Sequence, residues 1–196
     1  MIVWILLGLL IIAVIWAFGT YNRFVTLKTQ IEASIQEIGN QLKRQADLIP
    51  NLISSVKGYM KHEKEIFQSI TDARKQVMEV ITKDGSDAQA IVDASSKLQQ
   101  ALAPIRAVLE STPELQAAAP TQKLMDELRD TADKIMYARR TLIDLTADYN
   151  IARVTVPSNI IATLFNFEKQ PGLTMPEAAK ATTVTAEETK TPKVEL

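Results

Sequence analysis

Residues 124–152 read LMDELRDTADKIMYARRTLIDLTADYNIA. In this stretch Leu124, Leu128, Thr131, Ile135, Ala138, Leu142, Leu145, Tyr149 and Ala152 follow one another at alternating steps of four and three. That spacing lays one seam along an α-helix, as in a coiled coil. A half-buried strand would need period-two alternation. No useful run of alternating β-branched residues occurs before Arg153. A helix with a single apolar stripe cannot cover that stripe alone, so it requires partner helices.

Three further stripes lie upstream. Ile91, Ala94, Leu98, Ala101, Ile105 and Val108 form one, with Leu102 and Leu109 beside it and Pro104 inside it. A proline removes a helical hydrogen bond, so this helix is expected to kink there. Pro113 and Pro120 mark residues 111–120 as a connection. A second stripe runs Leu52, Val56, Tyr59, Glu63, Ile66, Ile70, Ala73, Val77 and Val80. It ends at the turn-like Lys83-Asp84-Gly85-Ser86-Asp87, which offers a new N-cap. The earliest stripe is Phe24, Leu27, Ile31, Ile35, Ile38 and Leu42. Between these two, Asp47 suits an N-cap and Pro50 a first helical turn, so a break is predicted there.

The chain opens with an apolar run. From Ile2 to Phe18 no residue is polar, and Ile2, Trp4, Leu10, Val14, Trp16 and Phe18 are typical of it. At about 1.5 Å per residue the run covers about 25 Å, near the lower limit for crossing a bilayer. Trp4, Trp16 and Tyr21 stand near its ends, where interfacial aromatics belong. A cleaved signal peptide would need a basic leader and a small-x-small cleavage site, and neither is seen. An uncleaved anchor is expected, continuing into the first amphipathic helix. Arg23, Lys28, Lys43 and Arg44 follow it with no basic residue before it, which predicts a cytoplasmic body.

The expected fold is therefore all-α: a single N-terminal transmembrane helix continuing into an antiparallel four-helix bundle, with a disordered C-terminal tail. The expected boundaries are 1–20 for the anchor, 21–152 for the bundle, 153–175 for a juxtamembrane or capping segment, and 176–196 for the tail. Residues 20–83 carry ten basic and seven acidic side chains, and residues 84–148 seven and eleven. A basic hairpin thus lies beside an acidic one. In an up-and-down bundle, residues 153–173 emerge at the membrane end. They hold Ile160, Ile161, Leu164, Phe165 and Phe167, which either lie in the headgroup region or cap the base of the bundle.

The chemistry is sparse. Among 196 residues there are 22 Lys and Arg against 23 Asp and Glu, a net charge of −1, which argues against nucleic-acid binding. There is no Cys and one His, His62, so thiolate, Cys-nucleophile and multi-histidine sites are excluded. His62 reads as a solvated helix residue. Asp126, Asp130, Asp133, Asp144 and Asp148 share a helix with Arg129, Lys134, Arg139 and Arg140 and read as a salt-bridged face rather than a cation site. No catalytic or cofactor constellation is present, and no small-molecule substrate is implied. Ala13 and Ala17 form a small-x-x-x-small pair that can bring two anchors together.

Several blocks resemble the LemA family. They are QLKRQADLIPNLISSVKGYMKHE at residues 41–63, ITDAR at 70–74, Tyr21-Asn22, LRDTADKIMYARR at 128–140, Asp148-Tyr149-Asn150 and PSNIIATLFNFEKQPG at 157–172. The resemblance covers roughly residues 1–175 in order. It implies a bacterial protein with one membrane helix and a helical domain, without an established enzymatic activity. It departs at Thr141-Leu142 and at Pro104. Its polar positions Asn51, Arg74, Arg139 and Asn150 are expected to be buried and to cap or bridge helices. The expected function is a membrane-anchored, non-enzymatic scaffold or adaptor that binds a protein partner or a second copy. The alternative is lipid binding or membrane remodelling through the juxtamembrane face.

Overall fold

The computed structural model describes residues 1–60, 64–83 and 87–173. Among them every regular element is helical: α1 (Ile2–Val56), α2 (Lys64–Lys83), α3 (Ala88–Ser111), α4 (Pro113–Ala117), α5 (Ala119–Val154) and α6 (Ser158–Leu164). His62, Glu63, Asp84 to Ser86 and the expected tail lie outside the described residues.

α1 carries the apolar run and the first stripe as one helix of 55 residues, about 80 Å long. Its N-terminal stretch is long and apolar enough to cross a membrane, and the other described residues do not bury it. Ile2, Trp4, Leu10, Val14, Trp16 and Phe18 are all exposed. Burial begins at Phe24 and continues through Leu27, Ile31, Ile38, Leu42, Ala46, Ile49, Leu52 and Val56.

The predicted break at Asp47 and Pro50 is not there. Both residues lie inside α1, which ends at Val56, and the chain turns through Lys57, Gly58 and Tyr59 to the buried Met60. The local rule fails for a tertiary reason. Pro50 cannot donate to the carbonyl of Ala46, one turn back. Arg74 of α2 does so instead, its Nε–H reaching that oxygen at 2.9 Å. Leu52 and Val56 therefore belong to α1, and the second stripe is shared between two helices. Pro104 likewise lies within a continuous α3. Asp87 is the N-cap of α3, its carboxylate accepting from the Ala90 N–H at 3.0 Å.

α5 runs antiparallel along α1: Leu128 lies at Gln45 and Tyr149 at Phe24. The seam read from the sequence is its inner face, with Leu128, Thr131, Ile135, Ala138, Leu142, Tyr149 and Ala152 buried. α2 packs on α1 and α3, and α3 also meets α1 and α4. The expected charge pairing joins the two halves: Arg44 lies 3.6 Å from Glu127 and 3.5 Å from Asp130. Lys134 holds Asp130 at 2.8 Å. That hydrogen bond, with the charges of Lys134 and Arg44, keeps the Asp130 carboxyl below its ordinary range against some desolvation.

Candidate functional site

Among the described residues no group of three or more His, Asp or Glu side chains is placed to hold a metal ion. The feature with distinctive chemistry is the base of the α1–α5 pair, where the chain folds back against the end of the apolar run.

α5 ends at Val154, and Thr155 closes it with its N–H and hydroxyl on the Ile151 carbonyl. The Ser158 hydroxyl then lies 2.6 and 2.9 Å from the carbonyls of Ala152 and Thr155, its one proton shared between them, and fixes the start of α6 to the end of α5. α6 is stopped by Asn166, whose φ of 52° places it in the left-handed region that Asn tolerates better than most residues. The Asn166 N–H meets the Thr163 carbonyl at 3.3 Å and the Phe167 N–H the Ala162 carbonyl at 2.9 Å. These are the two bonds of a Schellman cap, and they turn Phe167 inward.

Phe167 stacks on Phe24 at 4.8 Å and lies 5.6 Å from Tyr21. Tyr21 also meets Phe165 edge-on at 4.8 Å, and Phe24 meets Tyr149 edge-on at 5.5 Å. Such edge-on and offset contacts suit the ring quadrupoles. Polar bonds hold the strand of chain beyond α6. Asn150 donates to the Gln170 carbonyl at 2.9 Å and accepts from the Gln170 N–H at 3.0 Å. Arg153 Nε donates to the Phe167 carbonyl at 2.9 Å. Tyr149 is buried here. Burial pushes its phenol up, against the opposing pull of the Gln170 side-chain hydrogen bond and the Arg153 charge.

The five apolar residues singled out in residues 153–173 divide by direction. Ile161 is buried and Phe167 is partly buried against the core, whereas Ile160, Leu164 and Phe165 are 61%, 72% and 53% exposed. Ile161, Leu164 and Phe165 face Val14, Ala17, Phe18 and Tyr21 of α1 across a cleft of 410 Å³. On its other side α6 borders a polar cavity of 370 Å³ lined by Arg153, Asn159, Thr163 and Asn166 among others.

Of the polar residues expected to be buried, Arg74 and Asn150 are partly buried and bridge elements as described. Arg139 is half-buried, and Asn51 is exposed on α1, so that expectation fails for Asn51. Gln170, Arg153 and the capping role of Asn166 escaped the sequence reading. The only local signal was an Asn between two Phe at the end of a short helical segment.

A model of the LemA family matches residues 34–187, from the middle of α1 past α6. Among curated proteins the chain is similar to magnetosome protein MamQ of Magnetospirillum gryphiswaldense. The two are 24% identical over 170 residues, covering 76% of this chain and 62% of that protein. Magnetosome proteins MamQ 2 and MamQ 1 of Paramagnetospirillum magneticum are each 23% identical over 170 residues, with the same coverage. The chain thus spans less than two thirds of the length of these relatives. The family match takes in the second part of α1 and all of α2 to α6, and with an apolar helix at one end it marks a membrane-associated chain that belongs to the LemA family.

Proposed function

We propose that this chain is a membrane-anchored, non-enzymatic scaffold or adaptor that binds a protein partner or a second copy of itself. In this reading α1, α2, α3 and α5 work as one antiparallel bundle. The observation that carries it is the continuity of α1, which joins the membrane-grade stretch to the packed body without a break over Ile2–Val56. A rigid rod of that kind holds a helical body at a fixed orientation over a bilayer. The basic residues Arg23, Lys28, Lys43 and Arg44 favour the body on the cytoplasmic side. The test is chemical crosslinking of the full-length protein in native membranes. A defined adduct, with a second copy or with one distinct protein, supports the reading. A strictly monomeric chain without a specific adduct overturns it. Protease added outside intact cells should leave the body uncut; cleavage there reverses the orientation.

A second reading has its own observation. Leu164 and Phe165 are exposed beside Val14 and Phe18, and Ile160 is exposed on the same short helix, where they can touch lipid and act on membrane shape. Vesicles reconstituted with the full chain should differ in shape from those carrying Ile160→Ser, Leu164→Ser and Phe165→Ser together. Identical vesicles remove remodelling from consideration.

A further inference from the structure

The apolar run from Ile2 to Phe18 is short for its task. It covers about 25 Å, whereas a bilayer's hydrocarbon core is about 30 Å thick. The missing length is about one helical turn, which falls on residues 19–22. That is where α6 packs: Tyr21 contacts Phe165 and Phe167. The cleft between α1 and α6 begins among the last residues of the run itself, at Val14, Ala17 and Phe18, and ends at Tyr21.

We infer that this cleft takes an acyl chain of a bilayer phospholipid, so that α6 and the chain it holds complete the apolar collar of a short membrane helix. The inference rests on the lipid-contact reading and adds an occupant and a place. Three observations select that occupant. The cleft walls are the aliphatic and aromatic side chains of Val14, Ala17, Phe18, Tyr21, Ile161, Leu164 and Phe165. Its α1 wall is part of the membrane-grade stretch, so the medium facing it is hydrocarbon. A non-helical peptide entering there would leave its backbone N–H and C=O groups unsatisfied, which lipid surroundings do not tolerate, whereas an acyl chain has none to satisfy. The division of residues around α6 fits the same picture. Leu164 and Phe165 face the cleft, while Asn159 and Thr163 of α6, with Arg153 of α5, line the polar cavity on the opposite side.

Shorter helices usually adapt by thinning the bilayer or by reaching out with flanking side chains. Here a separate short helix performs that task. It is fixed by the Schellman cap, the Ser158 bonds and the Phe167 stack described above.

The test uses the full chain in vesicles of phosphatidylcholine brominated midway along its acyl chains. In a Trp4→Phe, Trp16→Phe background, Phe165→Trp supplies one fluorescent reporter and Leu164→Trp a second. Circular dichroism selects whichever retains the helical content of the parent. Trp16 alone, with Trp4→Phe, gives the reference for a site within the run. The reporter should be quenched about as strongly as Trp16. Adding Ala17→Phe, which fills the cleft from the α1 side, should remove half or more of that quenching. Quenching that Ala17→Phe leaves unchanged overturns the cleft while the lipid-contact reading stands, because lipid then touches only the open face of α6. A folded reporter that shows no quenching overturns both.

Discussion

At its far end the core of the α1–α5 pair meets its neighbours through buried amides, while at its base the core is a cluster of rings, with the polar ties of Ser158, Asn150 and Arg153 at its edge. Gln45 is fully buried on α1. Its Oε1 accepts from Gln99 Nε2 of α3 at 3.1 Å, and its own Nε2 reaches the Leu128 carbonyl of α5 at 3.4 Å. Arg106 continues the series by donating to Gln99 Oε1 at 2.6 Å. At the base the corresponding place is taken by Phe24 between Tyr149 and Phe167. Buried polar groups impose one arrangement because any other leaves them unpaired. Rings contribute more buried area and less directional demand. A polar series suits the end farthest from the apolar run, where three helices must find one register. Rings suit the end beside the run, where polar groups would be costly to leave near hydrocarbon.

The contrast is tested most severely at Phe24, which is buried at the centre of the ring cluster. Phe24→Ala should cost about 3–5 kcal/mol, as large-to-small changes in cores do. The measurement is denaturant unfolding of the full chain in detergent micelles, followed by circular dichroism. A loss under about 1 kcal/mol would show that the base is not held by its rings.

The polar end has a sharper test, because Arg74 compensates for Pro50. Arg74→Met leaves the Ala46 carbonyl without its donor and should cost about 1–3 kcal/mol. In a Pro50→Ala background the helix supplies its own N–H to that carbonyl, and the same substitution should cost clearly less. Two contacting sites coupled in this way depart from additivity by about 0.5–3 kcal/mol. Additive costs would mean that Arg74 stabilises the molecule by packing or by its 4.0 Å approach to Asp47 instead.

These two regions also show what a sequence reveals and what it hides. The seam from Leu128 to Ala152 was legible because helical period depends on local spacing alone, and the buried face of α5 follows it almost residue by residue. The continuity from the apolar run into the first stripe was legible for the same reason. The end of α1 was not. Pro50 carries a strong local stop signal, and the group that neutralises it, Arg74, lies on another helix, 28 positions from the Ala46 carbonyl it serves. Gln45 was hidden too. It sits beside Leu42, Ala46 and Ile49 in a pattern that tolerates a polar residue, and the approach of α3 and α5 makes it internal. For the base, the list of apolar residues was readable, but their direction was not. That direction depends on the left-handed Asn166 and on the Phe24 stack, both products of tertiary packing.

A smaller effect separates rings from clamps within the base. Asn150 makes two hydrogen bonds to the backbone of Gln170. Asn150→Ala should cost about 1–2 kcal/mol, since each such bond has a net value of about 0.5–1.5 kcal/mol and this pair lies at the edge of the core. Its clearer signature is local: the Gln170 amide should exchange with solvent faster, while amides of the α1–α5 seam keep their rates. Faster exchange spread over both helices would make the clamp part of the core rather than a tie on its edge.

The smallest effect concerns Tyr149, where a ring carries a hydroxyl into the apolar base. Burial raises its phenol above the ordinary value, with the Gln170 hydrogen bond and Arg153 opposing. The folded chain therefore keeps this proton at a pH where the unfolded chain has lost it. The associated stability is fully present below about pH 10, the ordinary tyrosine value. It is lost as pH rises from there through the folded-state value. Tyr149→Phe keeps the edge-on contact with Phe24 and removes the titration. Below pH ~10 the two chains should differ by a constant amount, and above it the parent should lose stability relative to the variant. Urea midpoints across that window measure the gap, and the parent's other tyrosines cancel in the comparison. Parallel decline of both chains would place Tyr149 in water-accessible surroundings, which would remove the dry, ring-lined base from the contrast.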